Sequence, residues 1–376
     1  MDWNHWRAEF PITSHLTHFN HAGVSPVSRR VAAAVSAFIT EATCIDAAAQ
    51  RRWELRTEAV RAGFARLVGA RPDEIALVKN TSEGLSLIAA GLDWRAGDNV
   101  IAVDGEYPSN VYPWFGLRRW GVETRMVRPV QGRVRVEDVE ALVDQRTRVV
   151  AVSFVDWSTG ARTDLQAIGA FCRGRDVLFC VDGIQGVGAI PLDVEREQID
   201  CLAVGGHKWL LAPEGGGCLF ISHRVIDRVQ SVLHGWKSVR DADVYLPYHF
   251  DPRPDAAKFE PGSPSVLSTY ALGAAIDLLL EIGVDQIQGR LYALTDRLAT
   301  GLRRLGATVM SPWGRDERSG IVVFRLGDDP QRLWAELTRQ GFVVRVRSGG
   351  IRIAPHFYNN EEDIDRLLTS LQALHH

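Results

Sequence analysis

Between residues 75 and 222, short β-rich apolar runs alternate with amphipathic stretches, a rhythm that few architectures accept. The runs are IALV (75–78), VIAV (100–103), ETRMV (123–127), RVVAVSFV (148–155), VLFCV (177–181), CLAV (201–204) and GCLFIS (217–222). Runs this short and apolar suit strands covered on both faces, and the amphipathic stretches between them supply the covering helices. The segment therefore reads as an α/β domain with a mostly parallel, seven-stranded sheet. After about residue 265 the pattern changes. Long helical runs, STYALGAAIDLLLEIG and the stretch around 285–305, precede IVVFRL (321–326), a helix near 330–340, FVVRV, and a last helix at 361–374. This reads as a smaller C-terminal α+β domain. A chain of 376 residues can bury two such cores. The Pro-rich LPYHFDPRPDAAKFEPGSPS (246–265) is the expected connector, which divides the chain into an N-terminal segment (1–20), a large domain (21–262) and a small domain (263–376).

Charge narrows the partners. The formal net charge is -3, with 43 basic and 46 acidic residues well mixed, so no basic face for nucleic acid or an anionic membrane is evident. A small molecule is the better expectation. The start, MDWNHWRAEF, has no apolar core of a targeting signal, and no stretch reaches the roughly 18 apolar residues of a membrane span. A cytoplasmic location is expected. The five cysteines form no CxxC pair and the 11 His show no HExxH or HxH spacing, so buried thiols and no metal are expected.

The chemistry begins with Asp182 and Lys208. Asp182 ends the run VLFCVD ahead of GIQGVG, and Lys208 follows CLAVGGH. Both side chains should therefore emerge at the carboxyl ends of strands, where open α/β sheets place ligands. A cofactor held as a Schiff base needs two such partners: an amine to carry the aldehyde, and a carboxylate that keeps a pyridine nitrogen protonated so that the ring accepts electrons. An Asp or Lys at a strand end can equally be a cap or a surface residue. KNTSEGLSLIAAGL adds a second feature, for Asn80, Thr81 and Ser82 stand directly before an amphipathic helix whose free N–H groups suit a phosphate. A plain Ser/Thr N-cap is the simpler alternative.

The segments FNHAGVSP, NTSEGLSLIAAGLDWRAGDNVI, EYPSNVYPW, VDGIQGVGAIPLDV, GGHKWLLAPEGGG, KFEPGSPS and IRIAPHFYNNEEDIDRL, in this order, resemble the class V aminotransferase family of fold type I enzymes dependent on pyridoxal 5'-phosphate (PLP). That family includes cysteine desulfurases, selenocysteine lyases and isopenicillin N epimerase. The resemblance implies that Lys208 carries PLP and shuttles the proton at Cα, that Asp182 pairs with the pyridinium nitrogen and that Gln185 meets the ring hydroxyl. It places Thr81, Ser82 and His207 on the phosphate, and Tyr107 over the ring. Ser263, in EPGSPS, would reach the phosphate of a second subunit, which implies a homodimer. Arg352, in GIRIAP, would clamp the carboxylate of an amino acid substrate. His21, Trp157 and either Arg345 or Arg347 are further candidates for the substrate side. A His capping a turn and an Arg exposed on a strand are the plainer alternatives for His21 and Arg345.

Departures from the family are equally informative. Desulfurases carry a nucleophilic Cys on a loop of the last lobe, whereas RVRSGGIR is shortened there and has no Cys. Persulfide chemistry is therefore not expected. DWSTGAR puts Trp157 where desulfurases have Asn, and Gly205 stands where the family often has a Ser. Aminotransfer or epimerisation of an α-amino acid is the favoured expectation, with β-elimination at a C–S or C–Se bond as the alternative. An oxidoreductase that binds a nucleotide cofactor is disfavoured because GIQGVG lacks the GxGxxG spacing. A non-catalytic relative would be expected to lose Lys208 or Asp182, and both remain.

Overall fold

The computed structural model describes residues 1–130 and 132–375. Helix α1 (Trp3–Arg7) and the short strand β1 (Thr17–His18) precede two long helices, α2 (Arg29–Thr43) and α3 (Ala49–Val68). Strand and helix then alternate through β2 (Ile75–Val78), α4 (Thr81–Gly91), β3 (Asn99–Val103), α5 (Tyr112–Phe115), β4 (Glu123–Val127), α6 (Val136–Glu140) and β5 (Thr147–Ser153). Helix α7 (Leu165–Gly174), β6 (Leu178–Asp182), β7 (Cys201–Gly205) and β8 (Gly217–Ile221) complete the series. All seven apolar runs of the sequence form strands of one sheet, ordered β2-β8-β7-β6-β5-β3-β4. The pairings from β7 through β4 are parallel, and only β8 runs against its neighbours. Strands β3, β6, β7 and β8 are buried at every position, as a sheet covered on both faces requires.

The strand order locates the cleft. From β3 the chain runs outward to β4, then returns to β5 on the other side of β3, so the crevice beyond the carboxyl ends of β3 and β5 lies where the winding reverses. The register aligns Ser153, Asp182 and Ala203 across β5, β6 and β7, which brings the three following loops to one level.

The C-terminal third holds α8 (Val266–Ile282), α9 (Val284–Arg304), β9 (Thr308–Val309), β10 (Val322–Arg325), α10 (Pro330–Arg339), β11 (Phe342–Val343), β12 (Arg345–Arg347), β13 (Gly350–Ile353) and α11 (Glu361–His375). Helix α8 starts where Ser265 Oγ accepts from the Ser268 N–H and stops at Gly283, whose φ of +85° suits a residue without Cβ. Its apolar residues, among them Leu272, Ile276 and Leu279, pack on α2 and α3 and join the core beneath the large sheet. Each such buried side chain contributes roughly 1.5–3 kcal/mol. A separate core forms around Leu294, Leu298, Phe324, Ile351 and Leu367. There the antiparallel sheet β12-β13-β10-β9 packs on α9 and α10, and α11 packs on α9. The run FVVRV, read from sequence as one strand, is divided. Phe342–Val343 pairs in parallel with β1, whereas Arg345–Arg347 turns back on β13. The turn is two residues long, Ser348 and Gly349, both at positive φ, the geometry that matches the twist of a hairpin.

Candidate active site

Lys208 and Asp182 open into one cleft of about 550 Å³, a size suited to a small ligand. Asp182 ends β6, only 2% exposed, and its Oδ1 accepts from the Ile184 N–H at 3.0 Å. Burial pushes this carboxyl up to about 6, against the pull of the Ile184 N–H and the positive Lys208. Lys208 lies just past β7, and its Nζ stands 5.3 Å from the centre of the Tyr107 ring. Burial lowers its amine to about 8, with Asp182 opposing the shift and Arg352 and Arg347 adding to it. A carboxyl that gains from a cation and an amine that is readily neutral therefore face the same space.

The start of α4 forms one end of the cleft. Asn80 caps the helix through its side chain, accepting from the Glu83 N–H at 2.9 Å. Thr81 Oγ1 accepts from the Gly205 N–H at 2.9 Å, which leaves its own hydroxyl hydrogen to donate. Ser82 Oγ meets Ser109 Oγ at 2.7 Å, and His207 stands beside them on the wall. Burial, then the charge of Lys208, lowers the His207 imidazole, while Glu214 raises it. Gly205 has no room to spare: a Cβ there would lie 3.2 Å from both Ile184 and Thr81.

Gln185 lines the cleft but is held from behind, its Nε2 donating to the Ala22 carbonyl and its Oε1 accepting from Trp209 Nε1, both at 3.0 Å. One hydrogen of its amide is left for a ligand. Tyr107 and Trp157 meet edge to face with centroids 5.6 Å apart, and Trp157 Nε1 donates to the Gly105 carbonyl at 3.0 Å. Arg352 is 2% exposed. It donates from Nη1 to the Trp157 carbonyl at 2.6 Å and from Nη2 to Asn20 Oδ1 at 3.2 Å. Arg352 is not paired with Glu361 of the last helix, which is bound by Arg290. Arg345 and Arg347 both line the cleft.

One expectation is corrected. His21 does not face the cleft. It is fully buried, with Nδ1 bonded to the Ala354 carbonyl and Nε2 to the Tyr358 hydroxyl, both at 2.7 Å, and Asn20 takes the cleft position instead. Successive side chains of extended backbone point to opposite sides, and the bridge of Asn20 with Ala354 sets which side that is. Ser263, expected to serve a second subunit, lies outside the Lys208 cleft of its own chain. It lines a separate groove of about 940 Å³ together with Trp236, Lys237 and Arg253. Sequence reasoning passed over Glu106, Asn20 and Ser109. Glu106 is the most consequential. Its carboxyl accepts from the Ser153 N–H at 2.7 Å and contacts the Ser153 hydroxyl, and burial, with the charges of Asp182 and Asp156, pushes it up to about 8. A neutral Glu106 keeps a second negative charge away from Asp182.

Comparison with known proteins agrees with this geometry. The aminotransferase class-V family matches residues 18–367. A probable cysteine desulfurase from Methanothermobacter thermautotrophicus is 29% identical, over 98% of this chain and 97% of its own. A cysteine desulfurase from Cronobacter sakazakii is 30% identical, over 85% of this chain and 82% of its own. The apo structure of a cysteine desulfurase from Thermococcus onnurineus NA1 superposes with a TM-score of 0.90 at 24% identity, covering 98% of this chain and 96% of that one. The family match across nearly the whole chain, on a fold of this topology, places the protein in the class V aminotransferase family of fold type I, PLP-dependent enzymes.

Proposed function

We propose that the protein is a C–S lyase that removes a sulfur group from Cβ of an α-amino acid by β-elimination, without passing the sulfur to a cysteine of its own. The observation that carries this reading is the composition of the cleft: Lys208 and Asp182 face each other there, and no thiol lines its walls among the described residues. The relatives named as cysteine desulfurases favour cleavage at sulfur over aminotransfer or epimerisation.

The cleft fits PLP. Among the described residues, the buried Asp182 carboxyl forms no ion pair and Thr81 keeps an uncommitted hydroxyl hydrogen at the start of α4. Thr81, Ser82 and His207 would hold the phosphate, Gln185 the ring hydroxyl, Asp182 the proton on the ring nitrogen, and Tyr107 one face of the ring. PLP, when bound, supplies the electron sink for the pair left at Cα. Lys208 Nζ would carry the cofactor and take the Cα proton, for which an amine near 8 is well matched. Arg352, fixed by Trp157 and Asn20, would orient the substrate's carboxylate. The sulfur then leaves Cβ with the bonding pair.

A persulfide route needs an enzyme thiolate in the cleft that attacks the substrate's sulfur as the Cβ–S bond breaks. Cys172, Cys180, Cys201 and Cys218 are buried, and burial pushes all four thiols up, Cys172 to about 12. Cys44 is exposed at the end of α2, off the cleft. Cysteine and S-substituted cysteines should therefore yield pyruvate, ammonia and free sulfide or thiol, and each Cys→Ser variant should keep turnover within a few-fold. Keto-acid formation with the side chain intact, or optical inversion, would replace elimination by aminotransfer or epimerisation. Loss of sulfur release in one Cys→Ser variant would restore the persulfide route.

The same reading includes a homodimer in which Ser263 completes the partner's phosphate site. The segment 232–250, whose Trp236 lines the Ser263 groove, exposes Val232, Leu233, Tyr245, Leu246, Tyr248 and Phe250, and exposed apolar side chains gathered in one segment suit a protein interface. Sedimentation should give a dimer. Ser263→Ala should weaken PLP binding by about threefold to tenfold, the worth of one neutral hydrogen bond. A monomer that stays fully loaded on dilution would reject the shared site.

A further inference from the structure

The β12–β13 hairpin holds more positive charge than one carboxylate requires. Alternate residues of a strand share a face, so Arg345 and Arg347 point the same way, and the register sets Arg345 opposite Arg352. All three line the Lys208 cleft, and none forms an ion pair among the described residues. Asp156, the acid that acts on Arg352, has its Oδ1 occupied by the N–H and hydroxyl groups of Ser158 and Thr159. Glu214, on the cleft wall, acts on His207 at the other end.

Like charges opposite each other on antiparallel strands destabilise the pair, so the hairpin breaks a local rule. Such conflicts persist where a ligand resolves them. The guanidinium of Arg347 lies over Trp157, 5.5 Å from the ring centre, which fixes it against the wall beside Arg352. The Nε atoms of both Arg347 and Arg352 are buried without a hydrogen-bond partner. One carboxylate occupies one guanidinium fork. With the α-carboxylate on Arg352 and the phosphate at the α4 end, Arg345 and Arg347 remain without an anion.

We propose that the cleft selects an α-amino acid whose side chain ends in a second oxyanion, with Arg347 and Arg345 as the specificity-determining cations. This rests on the reading above that Arg352 takes the α-carboxylate. It adds that a sulfur substrate bears an acidic group beyond the Cβ–S bond.

Binding of unreactive acids to the holoenzyme tests it without turnover. Succinate and glutarate are compared by calorimetry with propionate and butyrate. At least one dicarboxylate should bind about tenfold to a hundredfold more tightly than its monocarboxylate partner, the worth of one charged hydrogen-bonded contact. Arg347→Gln should remove most of that ratio, and Arg347→Lys should restore part of it. Arg345→Gln, at an exposed position where folding is not at risk, should lower the ratio as well. Equal affinities in the wild type, or a ratio unchanged in both Gln variants, would overturn the proposal. The lyase reading fails separately: if no amino acid releases sulfide or thiol but the dicarboxylate preference stands, elimination is wrong and the anion selection survives.

Discussion

Lys208→Ala protein should show no measurable turnover, and borohydride should no longer fix the mass of the cofactor on the chain. The side chain is asked to do two things, to hold PLP covalently and to move the proton at Cα, and the second alone is worth about 10²–10⁴ in rate. Lysines elsewhere provide the control. Lys258 is as little exposed and its amine is also lowered by burial, but its Nζ donates to the Ile226 carbonyl at 2.6 Å, away from the cleft. Lys79 pairs with Glu83 at 3.2 Å on an exposed turn, and Lys237 lies over Trp236. A reduced adduct on any of these three would end the assignment. The pH dependence has a definite sign. Only the neutral amine attacks the cofactor aldehyde, and burial has lowered Lys208 from 10.5 to about 8. Capture of PLP by the apoprotein should therefore speed up as pH rises toward about 8 and level off above it. A rise continuing to pH 10 would show that the amine capturing PLP keeps an ordinary basicity.

The parts of this site that sequence made legible share one property: their position follows from local rules. Asp182 and Lys208 each follow an apolar run with a Gly-rich loop, so strand ends could be named and the sheet's carboxyl edge followed. Thr81 and Ser82 were marked by a capped helix start. What stayed hidden depends on contacts far apart in the chain. Whether Asn20 or His21 faces the cleft is set by a bridge to Ala354, more than 300 positions away. Glu106 matters because Ser153 receives it from the neighbouring strand β5. The run RVRSGGIR was informative for the cysteine it lacks, but only the hairpin register shows that its arginines gather on one face. The division of FVVRV has the same origin, since β11 is claimed by the N-terminal strand β1.

Asp182→Asn should separate stability from catalysis, improving one while removing the other. In the wild-type apoprotein, burial raises the Asp182 carboxyl from 3.8 to about 6. The folded state thus binds this proton more tightly than the unfolded chain does. Stability from this group is present below about pH 4 and is lost as pH rises through about 6, the reverse of the usual carboxylate. At neutral pH the ionised group costs up to roughly 3 kcal/mol, with the charge of Lys208 already counted. Asn has nearly the same shape, keeps an oxygen for the Ile184 N–H and carries no charge. The apo variant should therefore melt at a higher temperature than wild type at pH 7, and the two should converge near pH 4. Turnover should move the other way. A neutral amide does not hold the proton on the ring nitrogen that lets electrons flow from Cα, and losing one such electrostatic partner removes at least ~10² in rate. PLP should still bind, because Lys208, Thr81 and Ser82 are untouched. A variant that melts higher and turns over at nearly the wild-type rate would make Asp182 a structural carboxyl alone. One that melts lower would mean that its charge is already paid for in the apoprotein, by Lys208.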